Sequence, residues 1–484
     1  MKRYYLLVLF FSVFTMGYGQ KNNLWKEFSP EEQGMNSMTL IDGIKKLKKD
    51  STNIHSLLVI RNSKVVLDVS FYPFQSNYVH DIASVTKSIV SLLIGIAIDK
   101  GLIKNENETV LSYFPEYPAK NDKLKNVRIK DLLNMASGFA CSWDDKEKEL
   151  EQMQENTDWV TFMLSLPFSS EPGEKFSYCS GNFYLLSEIL QRTTKMNAHS
   201  FARKYLFDPL QFDKTYWEEN SKGVNHGWGD LHMSPYDLAK IGSLLLNDGK
   251  WNGRQIISNE WLTKIRPLYY IHGTESYGYG WWLDSENPDE IQALGRGGQR
   301  MFILKDKNIV VVTTGGGFNA GEMDNLVLES IKSYAKNDNH SAELKNIIKT
   351  LQSPDTKGIT GNGFSYTMLN KNFQLEKNDL ELNSIRFEKR HNAYYLLLGF
   401  ADGAKEEHPV GTGNQYKISR EHQFGLPIAV KSFWDKSQLV VDYNELSRIN
   451  LYRLTFSFTD NSIAIDVRDI TNKRNITLKG VAIK

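Results

Sequence analysis

Apolar and polar positions along the chain fall into three successive patterns. Leu57-Leu58-Val59-Ile60 and Val65-Val66-Leu67-Asp68-Val69 flank the polar Arg61-Asn62-Ser63-Lys64, which predicts a β-hairpin. From Ser84 to about Trp261 the pattern turns mostly helical. Ile89, Val90, Leu92, Leu93, Ile94, Ile96, Ala97 and Ile98 make the first of these helices apolar nearly all round, as suits a helix inside a domain. A second helix start is explicit at Ser234-Pro235-Tyr236-Asp237, with Ser234 as N-cap, Pro235 at the first helical position and an acid in the first turn. A late strand pair, Arg300-Met301-Phe302-Ile303 and Ile309-Val310-Val311-Val312-Thr313, precedes a helix expected over Gly321 to Lys336. Strands at both ends of a helical insertion predict an α/β (α+β) unit whose antiparallel sheet is closed by distant parts of the chain.

The second pattern is polar, running from Ser333 to Gly363, and reads as a linker with a short helix at Ala342 to Leu351. Beyond it, segments such as Leu439-Val440-Val441-Asp442-Tyr443 and Ile463-Ala464-Ile465-Asp466-Val467 alternate at period two between polar turns. That third pattern predicts a separate all-β domain, an antiparallel sandwich or barrel. The expected boundaries are 20–336 for the α/β unit, 337–362 for the linker and 363–484 for the β domain.

Composition changes this picture at the N-terminus. Lys2 and Arg3 precede an apolar run from Tyr4 to Met16, and small residues at Gly17 and Gly19 suit cleavage before Gln20. Residues 1–19 therefore read as a secretory signal peptide, too short to span a bilayer, and a periplasmic or secreted protein with no membrane span after cleavage is expected. An uncleaved anchor is the alternative. No cysteine stands at the cleavage site, so a lipoprotein anchor is not expected. The net charge of +1 argues against a nucleic-acid surface or a polybasic membrane patch. With two cysteines, Cys141 and Cys179, and no His-Glu-x-x-His, the chain offers no metal-site spacing. A Gly-x-Ser-x-Gly elbow and a phosphate-cradling glycine loop are absent too, so neither metal nor cofactor is expected.

The chemistry that does stand out is Ser84-Val85-Thr86-Lys87, a Ser-x-x-Lys at the head of the apolar helix. This spacing puts the lysine one turn beyond the serine on the same face, where an amine without its proton can act as base on the hydroxyl. The same pattern recurs at Ser333-Tyr334-Ala335-Lys336, where a polar helix end explains it without chemistry. Even at Ser84 the pattern alone leaves open an ordinary N-cap with Lys87 in solvent.

Context decides between these readings. Five further segments follow Ser84 in order: Lys125-Asn126-Val127-Arg128-Ile129-Lys130-Asp131-Leu132-Leu133-Asn134-Met135-Ala136-Ser137-Gly138-Phe139, Glu171-Pro172-Gly173 running to Tyr178-Cys179-Ser180, Trp228-Gly229-Asp230 running to Gly242, Tyr277-Gly278-Tyr279-Gly280-Trp281-Trp282, and Ala293-Leu294-Gly295-Arg296-Gly297-Gly298-Gln299. Over roughly residues 30 to 335 the chain resembles the serine β-lactamase, penicillin-binding and esterase superfamily, in its class C-like branch.

The resemblance implies a Ser84 acyl-enzyme. Lys87 would take the serine proton, a role that asks for a lysine held neutral by burial or a neighbouring cation. Tyr178 matches the family tyrosine that shares the base's work, although a tyrosine in an apolar run is ordinarily core. The oxyanion hole would use the backbone N–H groups of Ser84 and Arg296, with Gly295 and Gly297 in the third-motif loop. The alternative is that this glycine-rich stretch only forms a tight turn into the strand. Cys141 and Cys179 each lie near a family landmark, and whether they are bonded stays open. Two departures bear on substrate. The family's Tyr-x-Asn is here Tyr178-Cys179-Ser180, and Ala293 stands where the third motif carries a cation.

These departures point to an exported serine hydrolase that cleaves an ester or amide of a small or short oligomeric substrate. The alternatives are a β-lactamase or D-alanyl carboxypeptidase and, from another class, a secreted binding protein on an inactive scaffold. Trp143, Tyr178, Trp281 and Trp282 fit a carbohydrate- or peptide-lined pocket, and they fit a core as well. The β domain has no identified partner and holds no recognised catalytic residue, so it is expected to be dispensable for chemistry.

Overall fold

The computed structural model describes residues 25–50, 52–119, 121–141, 147–272, 274–287, 289–336, 339–354, 369–413, 415–419, 426–459, 461–471 and 473–483. The segment read as a signal peptide, Trp143 and, of the polar linker, residues 337, 338 and 355–362 lie outside these residues. The predicted hairpin forms as Ile54–Arg61 and Lys64–Ser70. It extends an eight-stranded antiparallel sheet by pairing Ile54–Arg61 with the late strand Ile309–Gly315, Leu58 opposite Val312. The order continues through Gln299–Leu304, Glu290–Gly295, Trp281–Asp284 and Glu275–Gly278 to Tyr270–His272.

Two cores flank this sheet. On one face lie the helices Ser37–Lys49, Gly321–Lys332 and Ser341–Leu351, packed through residues such as Leu40, Ile44, Val327 and Leu344. On the other lies the helical insertion, including Val85–Asp99, Ser180–Thr194 and Pro235–Leu246. Ser234 caps the last of these by accepting from the Asp237 N–H at 3.1 Å. In the helix Val85–Asp99 every residue from Val85 to Ala97 is buried, as its all-round apolar pattern demands. Gly95 is part of the reason, since a Cβ there would lie 2.4 Å from the Trp261 ring. Among the described residues no helix is long and apolar enough to cross a membrane.

Two expectations are corrected. The short helix read as part of the linker, now Ser341–Leu351, packs on the catalytic sheet with Leu344 and Leu351 buried, so the α/β unit extends to about Leu351 rather than 336. The helix expected to reach Lys336 stops at Lys332, where Ser333 Oγ folds back to donate to the Glu329 carbonyl at 2.7 Å. The C-terminal domain is a barrel. Ten strands from Asn372–Leu375 to Arg474–Ile483 run in antiparallel pairs, and a parallel contact of Gly411 and Thr412 with Lys431 and Ser432 closes the sheet on itself. Its core is separate, built on residues such as Phe387, Leu396, Val441, Phe456 and Ile465.

Candidate active site

Ser84 sits at the N-cap of the helix Val85–Asp99, yet its side chain makes no capping bond. The residue before it is under strain: Ala83 takes φ +47°, a left-handed conformation that costs a non-glycine residue roughly 1–3 kcal/mol. The Asp81 carboxylate holds this turn by accepting from the Ala83 N–H at 2.7 Å. Such a turn sets the serine at the helix head, its hydroxyl left out of the cap. The Ser84 N–H also donates to no backbone carbonyl among the described residues.

Lys87 follows one turn later and is only 2% exposed. Its Nζ lies 3.0 Å from Ser84 Oγ and donates to the Trp228 carbonyl at 2.8 Å. The Tyr178 ring centroid is 4.9 Å from the same nitrogen. The solvated-lysine reading is therefore excluded by burial, and Ser84, Lys87 and Tyr178 meet at one place. Tyr178 belongs to an aromatic group with Phe176, Tyr277 and Trp282. Burial and the neighbouring Tyr178 push the Tyr277 hydroxyl well above its usual titration range. Trp281, by contrast, is fully buried in the core.

The third-motif loop reaches the same point from the sheet. Strand Glu290–Gly295 ends against the serine turn so closely that a Cβ on Gly295 would lie 2.7 Å from the Ile82 carbonyl and 3.1 Å from the Ala83 Cβ. Arg296 follows, with its side chain exposed, and Gly297 takes φ +81°. Ala293 is wholly buried and carries no charge to a ligand. Ser180, which stands for the family asparagine, has a buried hydroxyl without a hydrogen-bond partner among the described residues. Cys141 and Cys179 form a disulfide, which ties the residue after Tyr178 to the Ser137-Gly138 loop.

Sequence reasoning missed two contributors. One is the Trp228 carbonyl, a backbone group that no residue pattern announces. The other is the barrel turn at 445–450. Its Ser447 carbonyl accepts from the Asp81 N–H at 2.8 Å and faces His232 Nδ1 at 3.0 Å, while Ile449 Cγ2 would lie 2.5 Å from a Cβ on Gly297. Arg448 from the same turn pairs with Glu218 at 2.9 Å. The β domain thus abuts the serine turn and the third motif, a contact its expected dispensability did not foresee. Glu218, His226 and Asp230 place their ligating atoms within 4.8 Å of one another, close enough to hold a metal. Two of these reaches are already spent, Glu218 on Arg448 and Asp230 on His226 Nδ1 at 2.8 Å.

A Ser-x-x-Lys heading a buried helix, with the end of an inner strand of an antiparallel sheet against the serine turn, defines a hydrolase of the serine β-lactamase class. The Beta-lactamase family model matches residues 49–328, and the chain belongs to that family. A relative, the 6-aminohexanoate-dimer hydrolase of Paenarthrobacter ureafaciens, is 23% identical over 287 residues, covering 54% of this chain and 72% of that one. Among solved structures, the octameric penicillin-binding protein homologue from Pyrococcus abyssi covers 92% of this chain and 99% of its own at TM-score 0.50 and 16% identity. A family VIII carboxylesterase covers 61% of this chain and 96% of its own at TM-score 0.50 and 16% identity. These two structural likenesses concern the fold.

Proposed function

We propose that this hydrolase cleaves an ester or amide bond through an acyl-enzyme on Ser84. The observation that carries the reading is the buried Lys87 Nζ at 3.0 Å from Ser84 Oγ. With one N–H on the Trp228 carbonyl, a neutral amine turns its lone pair to the serine, and the hydroxyl then donates across the same contact. The proton passes to Nζ as Oγ attacks the substrate carbonyl carbon. The resulting oxyanion lies between the N–H groups of Ser84 and Arg296, with Gly295 permitting the close approach. On collapse the leaving group takes a proton from the Lys87–Tyr178 pair, and the acyl group remains on Oγ. A water molecule activated by the same pair then releases the acid and restores Ser84.

The buried, uncharged Ala293 favours ester and amide substrates over ligands anchored through a carboxylate at that position. The name of the Paenarthrobacter relative supports short amides as one substrate class. Export through residues 1–19 is part of the reading, and the Cys141–Cys179 bond suits an oxidising compartment. A mature N-terminus at Gln20, read by mass spectrometry of protein from the natural host, tests export. Specificity constants for 4-nitrophenyl butyrate and a chromogenic cephalosporin on one preparation test substrate class. A cephalosporin value equal to or above the ester value replaces this reading with the β-lactamase one.

A further inference from the structure

Between the serine turn and the barrel turn 445–450 lies a cavity of about 330 Å³ whose lining includes Asp81, Arg296, Glu445, Arg448 and Tyr452. It adjoins the proposed chemistry on two sides, since Asp81 precedes Ser84 by three residues and Arg296 carries the second oxyanion donor. One wall comes wholly from the β domain, held in place by the Asp81 N–H to Ser447 carbonyl bond of 2.8 Å and by Ile449 against Gly297.

The chemistry of the wall is selective. Arg448 is spent on the domain contact, with Glu218 at 2.9 Å and Glu445 at 3.4 Å. Arg296 is not, for its guanidinium has no hydrogen bond or salt bridge among the described residues. Asp81 is 4% exposed, and among the described residues its carboxylate accepts from the Ala83 N–H. Beside Glu445, Asn450 and Tyr452, the cavity therefore presents the buried Asp81 carboxylate and the Arg296 guanidinium. A lone carboxylate in this space would meet Asp81, a lone ammonium would meet Arg296, and an alkyl chain would leave both polar groups without partners. A group carrying a donor and an acceptor side by side satisfies both. We propose that this cavity is a substrate subsite for an amide group, its N–H directed to Asp81 and its carbonyl to Arg296. This rests on the Ser84 acyl-enzyme reading and extends it: the favoured substrate carries a second amide beside the scissile bond.

Two isosteric pairs test the subsite from either side of the scissile bond. On the acyl side, 4-nitrophenyl N-acetylglycinate is compared with 4-nitrophenyl pentanoate. On the leaving-group side, S-acetyl-N-acetylcysteamine is compared with S-pentyl thioacetate. Each kcat/KM is divided by the ester's hydroxide hydrolysis rate. The expected result is a normalised preference for the amide-bearing member of at least about tenfold in one pair, the scale of a satisfied buried polar group. Asp81→Asn, which turns a donor toward the cavity, and Arg296→Ala, which keeps the backbone N–H, should each erase most of that preference. Arg296→Ala alters an exposed side chain, so it decides the matter if Asp81→Asn does not fold. Ratios near one in both pairs, or a preference that survives Arg296→Ala, overturn the subsite. If a fluorophosphonate probe labels Ser84 while no preference appears, the subsite alone fails. Absence of both labelling and turnover removes the hydrolase mechanism and the subsite together.

Discussion

Ser84–Lys87 and Ser333–Lys336 are the same pattern in two settings. In the first, the lysine is 2% exposed, the serine precedes a buried helix, and the nitrogen is held 2.8 Å from a backbone carbonyl. In the second, the helix has ended at Lys332, Ser333 Oγ is spent on the Glu329 carbonyl, and Lys336 is exposed. The motif thus supplies only reach. Burial and a carbonyl partner confine the amine, and a strained turn at Ala83 presents the hydroxyl.

The largest effect that sharpens this contrast is expected for Ser84→Ala, which removes the atom that forms the acyl bond. Labelling by a fluorophosphonate probe and ester hydrolysis should both vanish with the fold intact by circular dichroism, whereas labelling at the wild-type rate would break the assignment. Next come Lys87→Ala and Tyr178→Phe, each expected to lower kcat/KM on the order of a hundredfold, as positioned acid–base groups do. Steady-state kinetics on a 4-nitrophenyl ester checks both.

The burial half of the contrast can be tested through stability. Leu93, fully buried in the serine helix, should cost about 2–5 kcal/mol when changed to alanine, read as a shift in the urea midpoint. The cap Ser234→Ala should cost less, about 1 kcal/mol by the same measurement. Smallest of all, Ser333→Ala and Lys336→Ala should each change stability by no more than about 0.5 kcal/mol, as exposed substitutions do. Neither should change kcat/KM, and a large loss in either would erase the distinction between the two copies.

Much of this was legible from local pattern. The hairpin, the buried helix, the Ser234 cap and the period-two C-terminal strands each follow from neighbouring residues, whose side chains choose between helical and extended periods. The ordered segments from Ser84 to Arg296 identified the family for a similar reason: each carries its chemistry within a few residues. The helix Ser341–Leu351 was legible as a helix but not as part of the sheet's outer layer, because an amphipathic face does not name what covers it.

Short spacings and the alternation of apolar positions were enough to single out Ser84, the lysine one turn beyond it and the class of fold. It took the folded chain to show that a carbonyl at Trp228 holds Lys87, that Gly295 must lack a Cβ to meet Ile82, that Ser447 of a separate barrel bonds the Asp81 N–H, and that Arg448 and Ile449 of the same barrel line the space beside it. Backbone groups carry no residue signature, and contacts between parts of the chain more than 350 residues apart depend on how two independently formed cores come to rest against each other.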